Sequence, residues 1–277
     1  MSREFTPCQK VEQTIVRRYH EELWSPFCKA IKRYELIKPG DRIAVCISGG
    51  KDSMLMAKMM HMLHRHTEIP FEVEYLIMDP GYSPENRRLI EQNAQFLELP
   101  YTIFDSDIFE VANAQEKNAC FLCARMRRGC LYGKARELGC NKIALGHHFD
   151  DVIGTTVLGM FYGGQLQAMI PKLKAKNFPG MELIRPLYLV HEEDIVAWQR
   201  ANGLQFIQCA CRFTENAAQD HGASKRQEIK QLIKQLKKNN PSIEDNIFAS
   251  IHTLQLDTMV KWKYRGREYS FLDDYDQ

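Results

Sequence analysis

The sequence predicts an α/β protein with a doubly wound parallel sheet, a helical extension before it and a small helical part after it. Short apolar runs alternate with segments of helical length between residues 42 and 162, which is typical of parallel sheets covered on both faces. Glycines and aspartates follow several of these runs, at the carboxyl ends where such sheets bind ligands. We expect three regions, at 1–40, 41–215 and 216–277.

The first elements are a helical segment and a strand. Apolar residues recur at helical spacing over 9–37, and Pro26 is expected to interrupt or restart that helix because proline cannot donate an interior hydrogen bond. Residues 42–47 form an apolar run rich in β-branched side chains, which predicts a buried strand. Residues 53–66 lack Gly and Pro and are rich in Met and Leu, which indicates a buried helix.

The alternation continues and then loosens beyond residue 165. It predicts strands at 71–78, 101–104 and 142–145, and helices at 85–98, 123–138 and 151–162. Residues 183–187 are expected at a sheet edge, 192–201 as a helix and 206–207 as a short strand. Residues 224–239 read as a basic amphipathic helix, and 261–277 as a weakly packed tail or short hairpin. The inward positions of that basic helix are expected to be Ile229, Leu232, Ile233 and Leu236.

Composition limits the location and the cysteine chemistry. The chain has 277 residues and a net charge of +2, so overall charge favours no class of partner. It contains no apolar run of about 18 residues and no signal-peptide pattern, so we expect a cytoplasmic protein. Nine cysteines in that reducing compartment predict metal or sulfur chemistry rather than disulfides.

The segment between the first strand and its helix predicts a phosphate site that binds ATP. Glycines allow close backbone approach, and free N–H groups at a helix start attract anions. A lysine adds a point charge and serines add hydroxyl donors. The spacing differs from the G-x-x-x-x-G-K-[ST] loop of kinases and GTPases. The residues are Ser48, Gly49, Gly50, Lys51, Asp52 and Ser53.

A second segment follows the strand at 142–145. Its adjacent aspartates, Asp150 and Asp151, suit Mg²⁺, which takes one or two carboxylates together with phosphate oxygens. One of them could instead cap the helix that follows. Gly146 and His147 belong to the same segment. Asp79, at the end of the strand 71–78, is a further candidate for nucleotide contact, although aspartate there also suits a turn.

Two pairs of neighbouring cysteines predict a metal site. Cys120 and Cys123 form a C-x-x-C pair, and Cys209 and Cys211 form a C-x-C pair. Four thiolates could close a structural zinc site. Three could instead hold a [4Fe–4S] cluster and leave one iron open for a substrate sulfide, although four protein thiolates are more usual.

These motifs resemble known families. The loop at 48–53 resembles the S-G-G-x-D-S loop of the PP-loop, or N-type ATP pyrophosphatase, superfamily. The segments 120–129, 144–151, 160–164 and 184–187, taken in order, resemble the tRNA 2-thiocytidine synthetases. The resemblance implies an adenine nucleotide alpha hydrolase-like fold and an enzyme that splits ATP into AMP and pyrophosphate. Such an enzyme adenylates an anticodon-loop cytidine and replaces its C2 oxygen by sulfur through a [4Fe–4S] cluster.

The resemblance also implies roles for residues and partners. Lys51 and Asp52 would act on ATP, while Cys120, Cys123 and a downstream cysteine would hold the cluster. The family has C-x-x-C downstream where this chain has C-x-C; alignment from the preceding residues favours Cys209 over Cys211. Implied partners are tRNA, a sulfur donor such as a cysteine desulfurase, and a second copy in a homodimer.

Basic clusters mark where RNA could bind, and two other functions remain open. The clusters could take phosphate groups or simply be solvated helix faces. One alternative function is a PP-loop sulfurtransferase acting on tRNA uridine or a small molecule; the other is a non-catalytic nucleotide-binding protein with structural zinc. The clusters lie at 125–136, at Lys172, Lys174 and Lys176, and at 225–238.

Overall fold

The computed structural model describes residues 4–106, 108, 119–207, 225–273 and 275, and for residues 119–124 it describes the backbone alone. In this part of the chain a six-stranded sheet has the order β3-β2-β1-β4-β6-β5. Its strands are β1 Arg42–Ile47, β2 Glu72–Asp79, β3 Tyr101–Asp105, β4 Lys142–Ala144, β5 Lys172–Lys174 and β6 Glu182–Ile184. All neighbouring strands are parallel except β5, which runs antiparallel to β6. The predicted α/β fold with a parallel sheet is confirmed.

Helices connect the strands, as the alternating pattern predicts. The described α-helices are α1 Pro7–Gln13, α2 Ser25–Arg33, α3 Lys51–His66, α4 Pro84–Phe96, α5 Ala119–Glu137, α6 Phe149–Gly163, α7 Glu192–Ala201, α8 Lys225–Asn239 and α9 Ile243–Ser250. Because β1, β2 and β4 are parallel and adjacent, the loops that follow them meet at one end of the sheet, where these strands finish. The central strand β1 is buried beyond its first residue, with Ile43, Ala44 and Val45 each 0% exposed. A rigid core therefore supports this end of the sheet.

Two strand predictions are wrong in detail. Residues 183–187 were expected at a sheet edge, but β6 lies between β4 and β5, and the edge strand is β5. The exposed Leu173 and the lysines that flank it gave β5 no apolar pattern to detect. Residues 206–207 are not a strand; Phe206 is buried against Trp198, with ring centroids 6.2 Å apart, so it packs on a helix instead of extending the sheet.

The N-terminal segment is helical without an interruption at Pro26. A capping box formed by Thr6 and Gln9 starts α1, because each side chain satisfies a backbone N–H of the other residue. Two π-helical turns, Thr14–Arg18 and His20–Trp24, then lead into α2. Pro26 lies in the first turn of α2, where the missing N–H would have no helical partner in any case.

The chain divides into two compact units, one of residues 1–152 and 169–222, the other of 153–168 and 223–277. In the second unit, Ile229 and Ile233 are buried on α8, but Leu236 is 42% exposed, so the predicted apolar face is narrower than expected. An antiparallel hairpin of Lys261–Tyr264 and Arg267–Ser270 confirms the expected hairpin. The region boundaries at 40 and 215 stay predictions. Among the described residues no helix has the length and apolarity needed to cross a membrane.

Candidate ATP and thiolate site

The loop after β1 is shaped for close approach of an anion. Gly49 has φ +84°, and a Cβ there would lie 2.5 Å from Cγ1 of Ile90, so only glycine fits. Gly50 is the N-cap of α3, and no side chain caps this helix. The first backbone N–H groups of α3 therefore face the loop with the positive end of the helix dipole behind them, which is the arrangement that binds phosphate.

The two loop serines brace the loop. Ser53 Oγ accepts hydrogen bonds from the backbone N of Ser48 and from Ser48 Oγ, each at 3.1 Å. It donates to the carbonyl oxygen of Gly50 at 2.9 Å. The sequence predicts that these hydroxyls donate to phosphate; in this structure they fix the curvature of the loop, and their contact with ATP stays a prediction.

Lys51 is held at the site by carboxylates. Its Nζ lies 3.0 Å from Oε1 of Glu192 and 3.1 Å from Oδ1 of Asp52. Burial acts to lower the pKa of Lys51, but the two carboxylates outweigh it and the pKa is raised. The ammonium group is therefore charged at neutral pH and lies beside the uncapped start of α3. This is the position in which a lysine binds a phosphate oxygen.

The Gly146–Asp151 segment adjoins this loop. A Cβ on Gly146 would lie 3.0 Å from the backbone N of Ser53, so glycine is required for the two loops to touch. Both aspartates have structural partners: Asp151 accepts from the backbone N of His148 at 3.0 Å. Asp150 accepts from the backbone N of Glu192 at 2.8 Å. Both aspartates lie in the first turn of α6, which begins at Phe149, so neither is the N-cap that was considered; Asp151 bonds the N–H just before α6, and Asp150 bonds the first N–H of α7.

His148 is a site residue that the sequence reasoning missed. It is buried, and its ring nitrogens lie 3.8 Å from Asp52, 3.6 Å from Asp150 and 3.6 Å from Asp151. Burial, the largest influence, lowers the pKa of His148, but the three carboxylates together raise it. Asp150 responds in the opposite sense: burial raises its pKa, yet His148 and the Glu192 amide bring it down to about 2. His148 and the acidic side chains around it thus each shift the other's pKa toward the charged form.

Arg185 brings positive charge to the same end of the sheet, next to a neutral His147. Burial and then Arg185 lower the pKa of His147 to about 4, so this imidazole is neutral at pH 7. Arg185 follows β6 and is only 7% exposed, and its Nη1 donates to the carbonyl oxygen of Ile170. Burial and then Arg128 lower the pKa of Arg185 to about 10. Within the described residues, Nε of Arg185 and Nδ1 of His147 are buried without a hydrogen-bond partner. Unpaired buried groups of this kind suit a site that binds an anion.

Asp79 lies at the same end of the sheet, and both of its carboxylate oxygens already accept hydrogen bonds. Its Oδ1 accepts from the backbone N of Gly81 at 2.8 Å and of Tyr82 at 2.7 Å. Its Oδ2 accepts from Arg87 at 2.9 Å. This is the turn chemistry that aspartate favours after a strand, and contact of Asp79 with nucleotide stays a prediction.

The C-x-x-C pair lies on the first turn of α5, where residues 120 and 123 share a helix face. A hydrogen-bond relay joins this helix to the loop: Arg127 Nη2 donates to Tyr82 Oη at 3.2 Å, and Tyr82 Oη donates to the carbonyl oxygen of Ser48 at 3.2 Å. Cys209 and Cys211 lie outside the described residues. Among the residues that are described, no group of three or more His, Cys, Asp or Glu side chains has an arrangement that could by itself hold a metal ion.

Comparisons with known proteins agree with this geometry. Residues 17–218 match the PP-loop domain family. A tRNA-cytidine(32) 2-sulfurtransferase of Syntrophotalea carbinolica is 37% identical over 230 residues, which cover 82% of this chain and 86% of that protein. A protein of the same name from Geotalea uraniireducens is 35% identical, over 84% of this chain and 93% of its own.

A solved structure shares the fold. The U34-tRNA thiolase NcsA from Methanococcus maripaludis, solved with its [4Fe-4S] cluster, matches with a TM-score of 0.66 and 21% identity. The match covers 87% of this chain and 80% of that one. At this identity the likeness concerns the fold. From the family match and the curated relatives together, the chain belongs to the PP-loop family and, within it, to the tRNA-cytidine(32) 2-sulfurtransferases.

Proposed function

We propose that this protein is an ATP-dependent tRNA sulfurtransferase that replaces the C2 oxygen of an anticodon-loop cytidine by sulfur. The observation that carries the proposal is the uncapped N-terminus of α3 beside Lys51, joined through Tyr82 to the helix that bears the C-x-x-C pair. An ATP site and a thiolate site linked in this way suit a reaction that first activates an oxygen and then exchanges it for sulfur.

The activation step draws on the loop at 48–53. The base oxygen attacks the α-phosphorus of ATP, and pyrophosphate leaves. The free N–H groups at the start of α3 and the ammonium of Lys51 stabilise the charge that develops on the phosphates. Sulfur then takes the place of the base oxygen, which departs as part of AMP.

Mg²⁺ would join this site through phosphate oxygens. Oδ1 of Asp52 is buried and has the ammonium of Lys51 3.1 Å away as its ion-pair partner. Asp150 and Asp151 each keep an oxygen beyond their backbone partner, so the donor set fits a cation that needs one or two carboxylates and substrate phosphates. We propose Asp52 and Asp151 as the carboxylates nearest this role, with Asp150 holding α7.

The sulfur carrier would be a [4Fe–4S] cluster held by Cys120, Cys123 and Cys209. The spacing of the first pair on one helix face fits such a group, and the NcsA chain of the same fold holds one. When bound, the cluster supplies coordinated sulfur for the exchange. Structural zinc is the competing occupant, and Cys211 the competing ligand.

The remaining parts of the proposal concern partners. Substrate tRNA presents its anticodon-loop bases unpaired, so a base reaches a recessed site at low cost. A cysteine desulfurase would provide sulfur, and a homodimer would be the working form. A cytoplasmic location suits a reaction that consumes ATP and needs reduced thiols.

Nucleoside mass spectrometry of tRNA tests the proposal. Deleting the gene is expected to remove 2-thiocytidine, and the wild-type chain is expected to restore it. Cys123→Ala is expected to abolish restoration while ATP still binds, whereas Asp52→Ala weakens ATP use and keeps the iron. Cys130→Ala, on the same helix, is the matched control and should restore 2-thiocytidine.

Two results would overturn it. An unchanged thionucleoside profile in the deletion strain rules out tRNA thiolation by this chain. One zinc per chain without labile sulfide, after anaerobic purification, rules out the iron–sulfur cluster and favours a structural metal site.

A further inference from the structure

A second basic site lies at the opposite end of the sheet from the ATP loop. It is a cavity of about 570 Å³, here called the amino-end cleft. We propose that it binds the phosphate backbone of the substrate tRNA away from the base that reacts; this rests on the proposed function. Its lining residues include Lys38, Asp41, Lys142, Lys172, Lys174 and Lys176.

The floor of the cleft is a network of ion pairs and hydrogen bonds. Nζ of Lys142 lies 2.6 Å from Asp41 and 3.6 Å from Glu182, and it donates to the carbonyl oxygen of Leu36 at 3.0 Å. Asn141 Nδ2 donates to Asp41 Oδ1 at 2.8 Å. These contacts hold one ammonium group against two carboxylates, so the floor by itself carries a net charge of −1.

The rim carries the excess positive charge. Lys38 and Lys172 share one exposed carboxylate, that of Glu35, at 3.5 and 3.7 Å. Lys174 and Lys176 are exposed, and in the described part of the chain neither has a carboxylate within 4 Å. The four rim lysines outnumber the rim carboxylate of Glu35 and the one excess carboxylate of the floor, so the cleft keeps a net positive charge that a polyanion complements.

Lysines on an edge strand also have a simpler purpose, because they prevent edge-to-edge pairing of sheets. That purpose accounts for Lys172 and Lys174 on β5. It does not account for Lys38, which precedes β1, or for Lys176, which lies beyond β5. Residues from three separate segments converge on one concave surface. The convergence favours a ligand.

The position of the cleft fixes which step it affects. Asp41 precedes β1 and Ser48 follows it, and six extended residues of β1 span roughly 20 Å. A phosphate bound in the cleft is therefore too far from the loop to take part in adenylation. The cleft contributes to RNA affinity and leaves the chemical step unchanged.

The test compares the charge-reversal pair Lys174→Glu/Lys176→Glu with Lys29→Glu/Lys32→Glu, two exposed lysines of α2. For wild type and both variants one measures tRNA affinity from 50 to 300 mM salt and thiolation at saturating tRNA. In the cleft variant we expect about tenfold weaker binding and a salt slope smaller by about 2, with kcat and tRNA-independent ATP binding unchanged.

Several outcomes overturn the proposal. Unchanged tRNA affinity in the cleft variant does so, as does an equal loss in the α2 variant, which would show a general charge effect. Saturable binding of inorganic phosphate to the cleft with unaltered tRNA affinity would assign the site to a small anion. If wild-type protein thiolates no tRNA at all, the proposed function fails, and tRNA affinity still judges the cleft by itself.

Discussion

The hydroxyl of Tyr82 donates to the carbonyl oxygen of Ser48 at 3.2 Å and accepts from Arg127 at 3.2 Å. Ser48 opens the ATP loop, and Arg127 lies one turn beyond Cys123 on α5. One side chain therefore fixes the loop relative to the helix of the C-x-x-C pair. Accurate placement of reacting groups contributes strongly to catalysis, so this contact should matter more for rate than for folding.

Tyr82→Phe tests that relation. It removes one hydroxyl and two hydrogen bonds, each with a net value of about 1 kcal/mol, and we expect thiolation to slow by roughly five- to thirtyfold. Tyr101→Phe is the matched control, since its hydroxyl accepts from Gln95 at the surface. Single-turnover thiolation at saturating ATP measures the effect. A rate equal to that of the control would show that the relay has no functional role.

Gly49→Ala should lower the free energy of unfolding by more than an alanine at positive φ usually does. Gly49 and Gly40 have almost the same φ, +84° and +82°, but a Cβ on Gly40 meets nothing within 4 Å. Both alanine variants incur about 1 kcal/mol of backbone strain. Only Gly49→Ala also clashes with Ile90, so urea unfolding should show at least a further 1 kcal/mol of destabilisation. ATP binding should be lost in Gly49→Ala and retained in Gly40→Ala; equal behaviour of the two would contradict the steric argument.

The two loops of the site show which of its features can be predicted from the sequence. The loop at 48–53 and the segment at 146–151 could be predicted because their chemistry is local: glycine next to a strand, and then a helix. That the loops touch, through Gly146 and Ser53, also follows from adjacent parallel strands. The hydrogen bond from the backbone N–H of Glu192 to Asp150 could not be predicted. It joins residues 42 positions apart, and no sequence motif marks the start of α7.

The missed residues have a common physical reason. His148 lies within the matched segment 144–151, and its importance arises from three carboxylates that the fold brings around it. The strand β5 was missed because a three-residue edge strand needs only one partner and carries no alternating pattern. Arg185 stood in a matched segment, but that no carboxylate of the described residues pairs with it becomes visible only when its buried neighbours are known.

Arg128→Gln should separate stability from activity. Burial and then Arg128 lower the pKa of Arg185 to about 10, so two cations face one another at the active edge. Removing the exposed charge relieves this repulsion, and we expect stability in urea to rise slightly, by up to about 0.5 kcal/mol. Thiolation should fall, because an anion that the pair attracts is held less well. Arg125→Gln, an exposed arginine on the same helix, is the control; a loss of stability in Arg128→Gln would contradict the argument.

Lys58→Met should be among the most destabilising changes in the chain. Lys58 is 0% exposed, and its Nζ lies 2.7 Å from Glu12 and 2.9 Å from both Cys8 Sγ and the carbonyl oxygen of Leu97. The substitution takes this donor from Cys8 Sγ and the Leu97 carbonyl oxygen and leaves Glu12 with Arg65, so we expect a loss of about 2–4 kcal/mol. Lys32→Met, at an exposed position of α2, should change stability by less than about 0.5 kcal/mol. Urea midpoints measure both, and similar midpoints would refute the role of the buried network.

His61 should make the folded state sensitive to acid. Burial, followed by the charge of Lys58, lowers the pKa of His61 to about 4 from its ordinary 6.5, and its Nδ1 is buried without a partner in the described structure. Below pH 6.5 the unfolded chain therefore takes up a proton at this position that the folded chain resists until about pH 4. The unfolded state binds more protons in that window, so stability falls as the pH falls through it.

The magnitude and the control follow from the same shift. Between pH 7.5 and pH 5 the contribution of His61 to the loss should be about 1–2 kcal/mol. His61→Asn removes the titrating ring, so its free energy of unfolding should change less with pH over this range than that of wild type. His64→Asn, at an exposed position of the same helix, controls for loss of an imidazole. Parallel pH curves for wild type and His61→Asn would show that His61 is not the residue that resists protonation in the folded chain.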